Sequence, residues 1–412
     1  MTTVEPVRTT DPGPSPLPAA DPAAADRSAG VPLRGWLALV SVAVGTFAMV
    51  TAEQLPMGLL TPIGGAFDVS EGAAGLMVTV PGLVASAAAP LLPVLIRRTD
   101  RRAVLVGLLG LMAAANLLSV LAPSFAVLLA SRFLVGISIG GFWALAAGIA
   151  VRMVPAAYVG RATAITFGGA TAANVLGVPA GTLIGEFASW RAAFATVGGL
   201  GLLVVAALLV LLPSLPATEP VRLGTLAAQF RNRAVRAGVL ATFLLVGGHF
   251  VAFTFVSPVL QDVSGIGQGM VGPLLLVFGA AGILGNFLAG GLVGRDVRTV
   301  ITAIGLLLAA ILALFPLVGT NPVGGIALLI GWGLAFGGVP VSVQTWILQS
   351  APRDAEAATA LNTSVFNLAI ALGALFGGLV VNAFSLTAAL WTAAAIGLLT
   401  ALTVRSVGRA SA

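Results

Sequence analysis

Apolar residues in this chain come in long continuous runs separated by short polar stretches. Residues 36 to 52 carry no charge at all, and comparable runs recur as far as residue 405. They lack the two-residue alternation of a half-buried strand, which excludes a β-barrel built from alternating segments of about ten residues. A run of about 20 apolar residues matches an α-helix that crosses the hydrocarbon core of a bilayer. The pattern predicts helices at 35–58, 74–96, 103–122, 125–150, 162–185, 192–212, 237–260, 270–293, 299–318, 323–349, 357–381 and 387–405. The stretch 213–236 is the longest polar interruption after the N-terminal tail, and it leaves six predicted helices on each side.

Three segments repeat across that interruption. "DRRAV" at Asp100 matches "DVRTV" at Asp296, "GISIGG" at Gly136 matches "GLAFGG" at Gly333, and "FAMVTAE" ending at Glu53 matches "FLLVGGH" ending at His249. The displacements are 196 or 197 residues, so the three matches share one register. Internal repeats of this kind place a transport site at the interface between the repeats. The expected architecture is an all-α integral membrane protein of twelve transmembrane helices in two pseudo-symmetric six-helix halves. Its parts are a disordered tail 1–34, a first half 35–212, a linker 213–236, a second half 237–407 and a short tail 408–412.

Composition agrees with the pattern. The 412 residues are 58% hydrophobic and only 8% charged, against about 25% charged in a soluble domain. Mean hydropathy is +1.07. Such a chain has too little polar surface to face water. Residues 1–30, rich in Pro, Ala and Asp, contain no apolar core of a signal peptide. The net charge of +6 belongs to topology and forms no nucleic-acid-binding patch. All twenty basic residues are arginine, and eighteen fall in the tails and loops on one side of the predicted helices. Arg191 lies in a loop on the other side, and Arg132 inside a helix. The positive-inside rule places both termini in the cytoplasm. Zero lysine with abundant Ala, Gly and Arg points to a GC-rich bacterial source, and so to the inner membrane.

With no cysteine and one histidine, the chain lacks thiol chemistry, zinc-ligand spacing and a Ser/His/Asp constellation. It has no phosphate-binding glycine loop either. No enzyme, metal site or cofactor is expected, and an ATP-driven pump would need a partner subunit.

Particular motifs sharpen the reading. "RFLVGISIGG" in the fourth predicted helix, "GVPAG" in the fifth and "WRAAF" opening the sixth resemble the drug:proton antiporter branch of the major facilitator superfamily. The resemblance spans about 35–407 and implies the major facilitator fold. Within it, Gly177, Pro179 and Gly181 fall on the antiporter motif. More narrowly, "GGFWALAAGIAVRMVP", "LLPSLP", "FTFVSPVLQDVSGIG" and "GWGLAFGGVPVSVQTWI" are similar to bacterial purine-ribonucleoside exporters, whose close relatives export sugars or drugs. The superfamily's loop between helices two and three departs here: Pro93 and Arg97 stand where Gly and Asp would fall. Arg98, Asp100, Arg101 and Arg102, with Asp296 and Arg298 in the matching loop, remain as the cytoplasmic gate. A plain basic anchor would also explain these arginines.

Three ionisable residues lie inside predicted helices: Glu53, Arg132 and His249. A charge at mid-bilayer costs about 2.5–3.5 kcal/mol on insertion scales, so such residues are retained for function. Each has a plainer reading. Glu53 is about 25 Å above Trp36 in a ~30 Å core, near the outer interface. His249 could be a neutral core residue, and Arg132 a clamp on carbonyls. The functional reading is proton coupling. Candidate substrate contacts are Phe142, Trp143, Asn174, Phe250, Phe253, Gln344, Trp346, Asn362 and Asn367, whose rings stack on a flat base and whose amides bond its edges. No cluster of charge is available for phosphate, so the cargo is a small neutral solute. The expected activity is proton-coupled export by a monomer, with purine nucleosides first and drugs or sugars as alternatives. A passive uniporter would share the fold without needing Glu53.

Overall fold

The computed structural model of the protein describes residues 32–96, 99–155, 158–216, 228–352 and 354–409. All regular structure among them is helical: α1 (Leu33–Gly58), α2 (Leu60–Phe67), α3 (Glu71–Ala74), α4 (Leu76–Leu95), α5 (Arg101–Val120), α6 (Phe125–Met153), α7 (Val159–Ala172), α8 (Val178–Phe187) and α9 (Trp190–Leu211). After the linker come α10 (Arg233–Phe253), α11 (Val256–Pro258), α12 (Val271–Val293), α13 (Val297–Val318), α14 (Pro322–Gly337), α15 (Val339–Ser350), α16 (Ala355–Ala383) and α17 (Leu386–Arg409). Most of the expected tail 1–34, Arg98 and part of the linker 213–236 lie outside the described residues, as do 410–412.

Eleven helical stretches among the described residues are long and apolar enough to cross a membrane. The predicted helix 162–185 is interrupted: a π turn at Ala173–Gly177 separates α7 from α8, which opens with Pro179 near its start. A missing proline N–H and a widened turn are common causes of such breaks. A similar break follows α10, where α11 ends in Pro258 and a π turn covers Val259–Val263. Helix starts follow local chemistry. Ser70, Asp100, Ser189, Asn232, Asp296 and Asn321 each accept a backbone N–H in the first turn of the helix they open. At the other terminus of α5, Arg191 donates to the carbonyls of Val120 and Ala122, a helix-end role for an arginine assigned to an outer loop.

The buried apolar residues form two main clusters. One draws on positions 38–215 plus Phe255; the other draws on 241–404 plus Met57 and Val78. Outside them, leucines such as Leu306, Leu307, Leu314 and Leu317 on α13 stay exposed, as suits a surface in contact with lipid rather than water.

Glycine sets how closely the helices approach. On α6, Gly136 and Gly140 lie against the carbonyls of Pro81 and Ala85 of α4, while on α14 Gly333 and Gly337 lie against those of Phe278 and Gly282 of α12. All four positions of the first contact have their counterparts 197 residues later in the second, with the two glycines retained. A second seam joins α1 to the broken helix: Gly169, Gly177, Gly181 and Gly185 face Ala43, Thr51, Leu55 and Leu59 in turn. Both series advance together, so the helices run parallel with small residues at the contact. A Cβ at Gly169 would fall on the Ala43 carbonyl. Gly169→Val is therefore expected to destabilise the fold by about 1–3 kcal/mol, read as a lower thermal midpoint of the detergent-solubilised protein.

Candidate transport site

Arg132 on α6 is completely buried. Its guanidinium donates to the carbonyl of Ala52 at 3.2 Å, to Asn116 Oδ1 at 3.1 Å and to Ser119 Oγ at 2.9 Å. It also lies over the Phe194 ring, 4.8 Å from the centroid. Asn116 is oriented for this because its amide N–H is given to Met112 O at 2.9 Å. Ser119 is likewise tied to Ala115 O and to Ser131. Among the described residues the Nε of Arg132 has no acceptor. Sequence reasoning singled out the arginine and missed its receptors. The available signal was Asn116 and Ser119 at an i,i+3 spacing on α5, which puts two polar groups on one face of an apolar helix.

Glu53 lies on α1, one residue beyond the carbonyl that Arg132 grips. It is 9% exposed and has neither a hydrogen bond nor an ion pair among the described residues. Arg132 thus holds the backbone beside Glu53 rather than its carboxylate. Next along the helix, Gln54 donates to Asn174 Oδ1 at 2.7 Å, bridging α1 to the π turn.

His249 occupies a different environment. Its Nδ1 accepts the indole N–H of the buried Trp332 at 3.0 Å, and an indole nitrogen can only donate. Nδ1 is therefore the unprotonated nitrogen, and a second ring proton would break that bond. The imidazole stacks on Phe336 at 3.4 Å and 9°, on Phe253 at 4.6 Å, and meets Phe250 edge-on. Phe278 and Trp332 complete the cluster. Here three expected site residues come together, joined by three aromatics from α12 and α14 that the sequence reading did not select.

The remaining candidates are dispersed. Phe142 is fully buried in the first cluster, and half-buried Trp143 meets it edge-on. Trp346 is buried, donates to Ala234 O at 3.0 Å and lies under Arg298. Asn362 accepts from Thr242 at 2.8 Å, and Asn367 donates to Thr363 O at 2.9 Å. Gln344, half-buried, donates to Thr359 at 2.9 Å, while Asn174 is exposed. Gly177, Pro179 and Gly181 belong to the broken helix: the two glycines seat Thr51 and Leu55, and the Pro179 carbonyl lies beside Gly272.

The two clusters meet at one end of the molecule. Gly72 lies against the Gly378 carbonyl and Asn382, and Gly82 against Ala371 and the Asn367 carbonyl. On the other flank Gly272 meets Leu183, and Gly279 meets the Asn174 carbonyl and Val175. Gln261 donates to Thr61 across the same end at 3.3 Å.

At the opposite end the described hydrogen bonds stay within a cluster. Asp100 accepts from Arg102 N, Leu215 N and Ser214. Arg101 donates to Ile96 O, and Arg102 to Leu209 O. Asp296 accepts from Arg298 N, Thr299 N and the Thr299 hydroxyl. Both aspartates of the repeated motif are thus helix caps. The Ser214 hydroxyl, then the Leu215 and Arg102 N–H groups, hold the Asp100 carboxyl below its ordinary value of 3.8 against a smaller opposing effect of burial. Its contribution is complete above that value and is lost as pH falls through the lowered one. Asp100→Asn is expected to cost about 1 kcal/mol or less of stability at neutral pH, read as a lower thermal midpoint. Melting curves across the acid range should show the difference begin to shrink below pH 3.8 and vanish once the pH passes the lowered value.

Comparison with known proteins places this architecture. The family model of the Major Facilitator Superfamily matches residues 42–374. The purine ribonucleoside efflux pump NepI of Escherichia coli strain K12 is 34% identical over 369 residues, 90% of this chain and 93% of that protein. The pump of the same name from Salmonella typhimurium strain LT2 is 34% identical over 378 residues, 92% and 95% of the two chains. A crystal structure of a bacterial homologue of the human lysosomal transporter Spinster, inward-facing and occupied, superposes with a TM-score of 0.77 at 16% identity, covering 92% of this chain and 98% of that one. Its unoccupied inward-facing form gives 0.69 at 18% identity, covering 92% and 96%. With eleven apolar helical stretches of spanning length among the described residues, the described fold, and matches that run through most of the sequence, this multi-pass membrane protein is a transporter, not an enzyme, and belongs to the Major Facilitator Superfamily.

Proposed function

We propose that the protein exports purine ribonucleosides in exchange for protons. The observation that carries this reading is the 34% identity, over 90–92% of the chain, to a purine ribonucleoside efflux pump. The cluster of five aromatic side chains around His249 adds support, because flat aromatic faces are the surfaces on which a purine stacks. Half-exposed or exposed amides inside helices need a wet internal space. On that argument Asn174 and Gln344 face the path, with Asn362 and Asn367 behind them on α16. Phe142, Trp143 and Trp346 then support the lining from within the packing.

In this account the broken segment 159–187 is the fifth of twelve spans, and the chain forms two six-helix halves. The glycine contacts that recur 197 residues apart are its main support. The arginine distribution puts both termini on the cytoplasmic side of a bacterial inner membrane. The joined end then faces outward, and the conformation is inward-open. Rocking of the halves about the Gly82 and Gly279 contacts gives alternating access. The capped loops carrying Asp100, Arg101, Arg102, Asp296 and Arg298, with Arg98 beside them, form the cytoplasmic gate. The monomer carries the complete path.

Proton coupling falls to Glu53. A carboxyl group's proton affinity depends on its solvation and its nearest cation. A rearrangement that wets Glu53, or moves Arg132 from the Ala52 carbonyl toward the carboxylate, exchanges its proton. His249, held as an acceptor by Trp332, acts at the same level of the second half by ordering the aromatic cluster. The test is uptake of inosine, guanosine, arabinose and lipophilic drugs into energised everted vesicles. Nucleoside uptake that collapses with the pH gradient supports the reading. Uptake confined to arabinose or drugs reassigns the cargo, and uptake indifferent to the gradient identifies a uniporter.

A further inference from the structure

A cavity of about 220 Å³ opens on the flank formed by α13 and α17, away from the contact between the two clusters. Its polar lining is Arg298, Thr299, Thr302 and Arg405, and its apolar lining is Ala303, Leu306 and Val404. Two guanidinium groups and hydroxyls therefore stand over an apolar wall. Leu306 is 40% exposed and Leu307 beside it 45%, so that wall continues outward onto the surface that faces acyl chains. We propose that this cavity binds the phosphate headgroup of an anionic phospholipid, with one acyl chain along α13.

The chemistry is that of an amphiphile. Arginine offers a planar set of donors that match phosphate oxygens, and basic pockets between membrane helices are suited to anionic headgroups. Asp296 is an acid close to the cavity. It caps α13 beneath Arg298, with its oxygens already accepting from Arg298 N, Thr299 N and the Thr299 hydroxyl. Its negative charge offsets part of the Arg298 charge, so Arg405 is the arginine of the lining to test first. The site also has a route to the transport path. Arg298 lies 5.6 Å above the Trp346 ring, and Trp346 donates to Ala234 O at the start of α10. A phosphate drawing on Arg298 would therefore act on the end of α10, the helix that carries His249.

The experiment is competition between lipids for the full-length protein in neutral detergent. Phosphatidylglycerol and phosphatidylcholine are supplied at equal mole fraction, and retained lipid is counted by native mass spectrometry. Wild type should retain phosphatidylglycerol preferentially. Arg405→Gln should weaken that preference by about fivefold, and the double variant with Arg298→Gln by about fivefold again. Arg295→Gln removes a neighbouring arginine outside the cavity and should leave the preference intact. Because Arg298 also packs on Trp346, Arg405→Gln alone, with an unchanged thermal midpoint, is the decisive variant. Equal retention of the two lipids, or an undiminished preference in Arg405→Gln, overturns the proposal. Displacement of phosphatidylglycerol by millimolar inorganic phosphate assigns the cavity to a soluble anion and overturns the lipid assignment as well.

Discussion

Replacing Glu53 by Gln is expected to reduce pH-gradient-driven nucleoside export to the level of empty vesicles. The substitution keeps shape and hydrogen-bonding capacity and removes the titratable proton. The fold should tolerate it well. Glu53 is nine-tenths buried and has no hydrogen-bond or ion-pair partner among the described residues, so Gln forfeits no contact and lifts the cost of an unpaired buried acid. The thermal midpoint should therefore hold or rise while coupled transport disappears. Counterflow, in which labelled substrate exchanges without net proton movement, separates the possibilities. A variant that still exchanges substrate but no longer responds to pH has lost coupling alone. Gradient-driven transport at the wild-type rate would remove Glu53 from the mechanism.

The second large effect concerns the state in which the protein rests. A side chain at Gly82 would meet Ala371 Cβ at 2.9 Å, and one at Gly279 would meet the Asn174 carbonyl at 2.8 Å. These contacts join the two clusters, so added volume strains the joined conformation far more than either cluster alone. Overpacking of this kind costs about 1–3 kcal/mol, which changes a ratio of two states by about 5–150-fold. Gly82→Val is therefore expected to drive the protein toward opening at the end now joined. The chain contains no cysteine, so a single Gln54→Cys reports access without background. Labelling by an impermeant maleimide from that side should accelerate by a factor in the same range in Gly82→Val. An unchanged rate in a folded variant would show that the glycine contact does not set the equilibrium.

Much of the fold was legible because the membrane imposes a simple rule. Hydrocarbon cannot satisfy backbone groups, so a long apolar run must be helical, and the predicted intervals fall on observed helices. The breaks at Ala173–Gly177 and after Phe253 were marked only by nearby prolines; their position depends on which neighbour fills the bend. The repeated aspartates stand out in the sequence as gate candidates, and the structure adds that each caps a helix, a role that Asp at such a boundary announces by itself. The site was half legible. A charge in an apolar run stands out, so Arg132, Glu53 and His249 could be selected one by one. Pairing them with their partners could not be done from the sequence, although the i,i+3 spacing of Asn116 and Ser119 marks a polar face on α5. Asn116, Ser119 and Trp332 come from other helices, and a lone polar or aromatic residue does not declare which helix it will meet.

The central claim is the exchange of nucleoside for protons, and proton movement tests it most directly. Purified protein is reconstituted in vesicles with an interior pH dye, under an imposed gradient acid inside, and inosine is added outside. The account predicts that inosine accelerates proton release from the vesicles, in step with labelled inosine uptake, and that Glu53→Gln shows neither. Inosine uptake by the wild type with no accompanying proton release would contradict it.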